Sequence, residues 1–208
     1  MERGLLTPLK KLRRQVFVEV ARVAFESEND VKDAIEAIPY KITPGDRPIY
    51  RESIWRERAI CSERVRLSMG LSLRPEDVPV HITSGLRESD IADKYYEPPL
   101  MQVIPSACAA CSPNLYKVTD NCRGCVAHPC TEVCPKGAVS IVDGRSFIDQ
   151  SKCIKCGRCK AVCPYDAIAH HTRPCAEACG VKAIESDDLG RAKINNDKCV
   201  SCGMCLVN

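Results

Sequence analysis

The chain has 208 residues, with 30 Lys and Arg against 27 Asp and Glu, for a formal net charge of +3. That balance, with aromatic residues at only 5% and no basic block, excludes a nucleic-acid surface and a base-stacking platform. Cysteine is the outlier: of 16 in the chain, 15 lie between Cys108 and Cys205, a density that means disulfides, zinc or iron–sulfur chemistry.

The first 25 residues are basic, but Glu19 and Arg22 interrupt the apolar run "VFVEVARVAF", so no secretory signal is visible. No stretch approaches the roughly 20 apolar residues needed to span a bilayer. The chain reads as cytoplasmic, without a membrane or nucleic-acid partner. In that compartment thiols stay reduced and bind metal more readily than they pair.

Residues 1–100 read as a helical N-terminal region. Thr7–Pro8 suits an N-cap followed by proline at the first helical position. Leu9, Leu12, Val16, Val20 and Val23 then recur at three- and four-residue steps, giving one apolar stripe. A second helix is expected over 31–38, with Val31, Ala34, Ile35 and Ile38 on one face and Asn29 or Asp30 near its start. "PYKITPGDRP" follows as a breaker-rich connection. A third helix is expected from Glu52 to Met69, closed by Gly70 as its C-cap. Its charges (Arg56, Glu57, Arg58, Glu63, Arg64 and Arg66) are expected to form a solvated face. Cys61 has no companion thiol nearby and is expected to be a small buried apolar residue.

Near Pro98 the composition shifts to "YYEPPLMQVIPSACAACSPN", and residues 101–121 read as a proline-rich linker carrying the pair Cys108-x2-Cys111. Residues 122–168 are expected to be a dicluster iron–sulfur domain. "CIKCGRCKAVCP" holds Cys153, Cys156 and Cys159 at two-residue intervals, then Cys163–Pro164. A zinc ribbon needs only two Cys-x2-Cys pairs. Three thiolates on one tight loop, with a fourth followed by proline, form the bacterial 4Fe–4S run, in which the fourth cysteine reaches a neighbouring cluster. The partner run is Cys122, Cys125, Cys130 and Cys134–Pro135, with a wider central gap. Crossed ligation then gives one cluster Cys122, Cys125, Cys130 and Cys163. The other takes Cys153, Cys156, Cys159 and Cys134. Between the runs, "AVSIVDGRSFID" alternates around Asp143–Gly144 as a hairpin does.

Residues 169–208 repeat this pattern. "GRSFIDQSKCIKCGRC" (144–159) aligns with "GRAKINNDKCVSCGMC" (190–205), and "PCTEVCPKGAVS" (129–140) with "PCAEACGVKAIE" (174–185). Gly180 replaces the proline after the fourth cysteine, and Ala167 and His170 stand where Cys122 and Cys125 would be repeated. By the same rule Cys199, Cys202, Cys205 and Cys179 make a third cluster. The residue matching Cys163 would be number 209, just past Asn208, so the second module is read as truncated and the chain as a fragment of a longer parent. A fourth cluster would draw on Cys175 with Cys108 and Cys111, or an imidazole from His170 or His171. The competing reading makes Cys175 a relic. The fold class expected throughout is α+β: a helical lead, then tandem ferredoxin-like modules.

Small residues beside the ligands (Gly124, Gly157, Gly203 and Ala161) would let main-chain N–H groups approach sulfur. His128 is a candidate hydrogen-bond donor to a cluster sulfur. Lys152, Lys155, Arg158 and Lys160 would offset cluster charge, meet an acidic donor, or simply be solvated. No phosphate loop, nucleophile–base pair or zinc-water signature appears, so the chain carries no catalytic site of its own.

Residues 122–168, ending in "CPYDAI", resemble a two-cluster bacterial ferredoxin. The order of parts, from the helical lead through "PSACAACSPN" to "RPCAEACGVKAI", resembles the N-terminal region of monomeric iron-only (FeFe) hydrogenases. The resemblance implies a relay of single electrons between a redox partner such as ferredoxin and a C-terminal catalytic domain absent from this chain. Two alternatives stand beside it: a free-standing polyferredoxin or electron-transfer subunit of another redox complex, and a zinc-binding interaction module.

Overall fold

The computed structural model describes residues 6–26, 31–89, 100–112 and 114–206. It has two compact units, Met1–Cys108 and Ala109–Asn208.

In the first unit, α1 (Pro8–Glu26) starts where the sequence signals it: the Lys10 N–H donates to Thr7 Oγ1 at 3.3 Å. Leu12, Val16 and Val23 turn inward, whereas Leu9 stays partly exposed at the end of the stripe. The expected N-cap of the second helix, Asn29 or Asp30, lies outside the described residues, as does Pro98. Helix α2 (Val31–Ile42) runs four residues past the expected end, through Pro39. A proline inside a helix removes one donor and crowds the preceding turn. Here the last turn is closed by Thr43, whose N–H and Oγ1 both donate to the Pro39 carbonyl at 3.0 and 2.6 Å. Helix α3 (Ile54–Ser68) ends at Gly70, whose φ of +75° is the left-handed conformation of a glycine C-cap.

The three helices share a core of Val16, Val23, Ile35, Ile38, Cys61 and Val65. Each such aliphatic side chain contributes about 1.5–3 kcal/mol by leaving water. The charges of α3 do not form a solvated face. Glu57, Glu63 and Arg66 are buried because the flanking loops need partners for their main-chain groups. Glu57 Oε1 accepts the N–H groups of Ile49, Tyr50 and Arg51, and Arg66 donates to the carbonyls of Ser72, His81, Ile82 and Ser84. Glu63 pairs with Arg74 at 2.5 Å. A short α4 (Leu86–Ser89) and a 3₁₀ turn (Pro105–Ala107) complete the unit.

Among its described residues the second unit has three two-stranded antiparallel sheets, three one-turn α-helices and a 3₁₀ turn (Met204–Leu206). Strand β1 (Leu115–Val118) lies within the span read as linker and pairs with β4 (Ile168–His171), Tyr116 standing opposite His170. Strands β2 (Val139–Val142) and β3 (Arg145–Ile148) form the expected hairpin. Its turn residues Asp143 and Gly144 have φ of +47° and +74°, the signs a type I′ turn requires. The repeated hairpin is β5 (Ile184–Ser186) with β6 (Ala192–Ile194). The one-turn helices α5 (Pro129–Glu132), α6 (Arg158–Ala161) and α7 (Pro174–Glu177) each carry one cysteine of a run. The apolar centre is Tyr116, Val139, Ile148 and Ile168 with Cys130 and Cys159.

Candidate iron–sulfur centres

Two cavities of about 330 Å³ each, mouths included, lie in the second unit. One is lined by Cys153, Cys156 and Cys159 from the triple run, Cys134 from the other run, and the side chains of Tyr116 and Ile148. The second is lined by Cys122, Cys125, Cys130 and Cys163, with Tyr165 and Ile168. Each run thus sends its last cysteine to the cavity of the other. Among the described residues no three His, Cys, Asp or Glu side chains converge on a point as the ligands of one ion would. Four thiols line each cavity, a layout that fits a four-iron cage.

Main-chain donors point at these sulfurs. The Ala138 N–H donates to Cys134 Sγ at 3.3 Å, Ala167 to Cys163 Sγ at 3.4 Å, Lys155 to Cys153 Sγ at 3.4 Å and Ser146 to Cys122 Sγ at 3.5 Å. Ser146 Oγ also lies 3.3 Å from Cys130 Sγ. Such bonds favour the thiolate, the form that ligates iron. The N–H groups of Ser146 and Gly124 hold the Cys122 thiol below its ordinary range. Burial pushes Cys134 upward, but the N–H groups of Lys136, Ala138, Val139 and Gly137 outweigh it and leave this thiol lowered. Burial keeps Cys159 raised. The main-chain donors therefore fit an anionic cluster, whose irons would offset the burial of its thiolate ligands.

One turn recurs at each fourth cysteine. Three residues after Cys134, Cys163 and Cys179 stand Gly137, Asp166 and Lys182, with φ of +57°, +46° and +52°. Each is followed by a fully buried alanine, Ala138, Ala167 or Ala183. Ala183 donates to Cys179 Sγ at 3.2 Å, so Cys179 keeps the local geometry without the proline. Burial raises the Cys205 thiol, and the sulfurs of Cys179, Cys199 and Cys202 raise it further. The Ala repeat is visible in the sequence as "KGA", "YDA" and "VKA"; its role as sulfur donor is not.

The remaining candidates part ways. Cys61 is buried in the helical core, and burial pushes its thiol up to about 11, which keeps it protonated and marks it as packing. His170 stacks on Tyr116, and its Nε2 lies 2.7 Å from Asn114 Oδ1, so its ring is engaged in the β1–β4 pair. Lys152 pairs with Asp149 at 3.7 Å on the surface. Cys111 belongs to the second unit, where its carbonyl accepts from Arg173 at 3.1 Å, and Cys175 opens α7. Cys108 closes the first unit, its carbonyl 3.4 Å from Arg56 Nη2. Tyr116 and Ser146 are site residues that the spacing of cysteines did not reveal.

Residues 147–169 match the family model of the 4Fe-4S binding domain. An uncharacterized ferredoxin of Methanocaldococcus jannaschii is 37% identical over 79 residues, 30% of this chain and 52% of the relative. Ferredoxin 7Fe of Hydrogenibacillus schlegelii is 42% identical over 55 residues, 26% of this chain and 70% of that protein. The electron transport protein HydN of Escherichia coli strain K12 is 43% identical over 53 residues, 26% of this chain and 30% of HydN. The chain thus spans about half the length of the methanocaldococcal ferredoxin and less of HydN. No solved structure matches. Among the described residues no helix is long and apolar enough to cross a membrane.

Proposed function

This chain belongs to the ferredoxins, iron–sulfur electron-transfer proteins, and on that premise we propose that it is the electron-relay portion of an FeFe hydrogenase. The observation that carries the relay is the exchange of Cys134 and Cys163 between the two cavities. Cys122, Cys125, Cys130 and Cys163 would hold one 4Fe–4S cluster, and Cys153, Cys156, Cys159 and Cys134 the next. Cys179, Cys199, Cys202 and Cys205 would hold a third. When bound, each cluster supplies one-electron redox chemistry tuned by hydrogen bonds, charge and exposure.

The protein's own contribution is to fix the sulfurs and limit water around them. Thiolates from both runs lock the cavities into one body, so their separation is set by the chain. Ile148 and Tyr116 close one wall, and Ile168 the wall of the other. N–H groups at Cys122, Cys134, Cys153 and Cys163 offset negative charge on sulfur, which eases addition of an electron. We place this relay in the cytoplasm, exchanging electrons with a soluble redox protein such as ferredoxin and feeding a catalytic domain outside this sequence.

Anaerobic reconstitution with iron and sulfide tests the relay. The expected product is brown, with broad absorbance bleached by dithionite and about twelve or more irons per chain. One zinc per four cysteines without sulfide would replace it with the interaction-module reading. The hydrogenase assignment is tested at the gene: the full reading frame is expected to continue into a domain with further cysteine motifs. A frame without one favours a free-standing polyferredoxin or electron-transfer subunit, the reading to which the likeness to HydN lends support.

A further inference from the structure

Four loops of this chain open with a Cys-x2-Cys pair, two of them running on to a third cysteine at the same spacing, and three of the four belong to the sets assigned above. In those three, the residue before the second cysteine is left-handed: Gly124 at φ +56°, Lys155 at +59° and Ser201 at +53°. The fourth loop, Cys108-Ala-Ala-Cys111, does the same with Ala110 at +46°. Alanine has no side-chain bond to favour that conformation, which costs about 1–2 kcal/mol. The loop therefore carries the backbone signature of the three ligand loops at a local cost.

The internal repeat says where its second thiol belongs. In the first module, Gly124 sits so close to the β2–β3 turn that a Cβ there would lie 2.0 Å from the Gly144 carbonyl oxygen. Gly144 aligns with Gly190 in the repeat. The Gly190 carbonyl accepts from Arg173 Nη2 at 2.7 Å, and the same Nη2 donates to the Cys111 carbonyl at 3.1 Å. Through one guanidinium, the loop ending in Cys111 thus reaches the turn that corresponds to the one its counterpart packs on. Cys175, two residues after Arg173, aligns with Cys130, a residue lining the cavity of Cys122 and Cys125.

Arg173 itself points to a ligand. It is only 6% exposed, its hydrogen bonds run to the carbonyls of Glu185, Cys111 and Gly190, and its Nε has no acceptor among the described residues. A buried cation whose partners are all neutral, with one donor unmet, is costly unless an anion stands nearby. A thiolate-ligated iron–sulfur cluster is such an anion.

We propose that Cys111 and Cys175 are ligands of a further iron–sulfur centre in the second unit, with Arg173 as the positioning residue that holds the Cys111 loop against the β5–β6 hairpin. This rests on the relay reading but can fail without it. His170, committed to Tyr116 and Asn114, takes no part.

The test uses the full chain, reconstituted anaerobically, with C111S, C175S and their double variant. Each is expected to lose about three to four irons per chain relative to the parent, and the double variant no more than either single one. Iron counts unchanged in both single variants, while C163S still loses iron, would overturn this site and leave the relay standing. A parent chain that takes up zinc without sulfide overturns both. Alkylation by iodoacetamide supplies a readout independent of mutation: Cys111 and Cys175 are expected to be protected in the loaded protein and modified after iron is chelated. Ready modification in the loaded state sinks the proposal. R173M is expected to remove the electron paramagnetic resonance signal that C111S and C175S remove, with the far-ultraviolet circular dichroism preserved; an unchanged spectrum overturns the positioning role.

Discussion

The Tyr116 and His170 rings lie face to face, their centroids 4.4 Å apart and their planes 13° from parallel. The pair faces across the β1–β4 ladder, while Tyr116 also lines the cavity of Cys153 and its partners. The histidine thus acts as a lid on an aromatic wall. H170A is expected to cost about 0.5–1.5 kcal/mol of stability while leaving the iron content of the chain unchanged. Iron loss in H170A would restore the histidine as a ligand.

Exchange of the last cysteines gives a sharper outcome. C163S is expected to abolish the cluster held by Cys122, Cys125 and Cys130 and to spare its neighbour; C134S should do the reverse. Iron counts and resonance spectra of the two variants read this directly. If C163S destroyed the Cys153 set instead, the ligand assignment would be wrong.

Gly124 and Gly137 both have positive φ, at +56° and +57°, but differ in what surrounds them. A methyl on Gly124 meets the Gly144 carbonyl, whereas a methyl on Gly137 meets nothing within 4 Å. G137A is expected to cost about 1–2 kcal/mol, the price of the conformation alone. G124A adds a main-chain clash worth about another 1–3 kcal/mol, so its cluster should bleach first in a denaturant titration. Equal costs would mean that the close approach to Gly144 carries no weight.

The helical unit has its own titration. Cys61 is raised from an ordinary 9.0 to about 11 by burial, with Arg64 opposing slightly. The folded state keeps its proton where the unfolded chain has already lost it. Stability is therefore unaffected below about pH 9 and falls as pH rises toward 11, by about 3 kcal/mol at most. Chemical denaturation followed by helix signal should show that slope, and C61A should remove it. A slope that persists in C61A must come from another group.

The cysteine spacing made the grouping of the thiols around two cavities legible, because three thiols on one loop leave a fourth to come from elsewhere. The Asp143–Gly144 hairpin was legible for the same local reason: a two-residue turn between alternating strands admits few sequences. Other features depended on distant partners. Strand β1 is four residues long and is stabilised by β4, some fifty positions away. The charges of α3 look like a wet surface until the loops whose main-chain groups they satisfy are in place. Pro39 signals a break, but Thr43 and the packing of α2 carry the helix past it.

Ala167 is claimed by two repeats and can serve only one. Its amide binds Cys163 Sγ, its carbonyl accepts both the N–H and the hydroxyl of Thr119, and its methyl is sealed in. As the first ligand position of the second repeat, the same residue would have to swing outward on an open loop. The modules are spliced, not strung. Such overlap leaves the second repeat without a thiol of its own at this position, and under the proposal above the upstream Cys111 loop stands in for it.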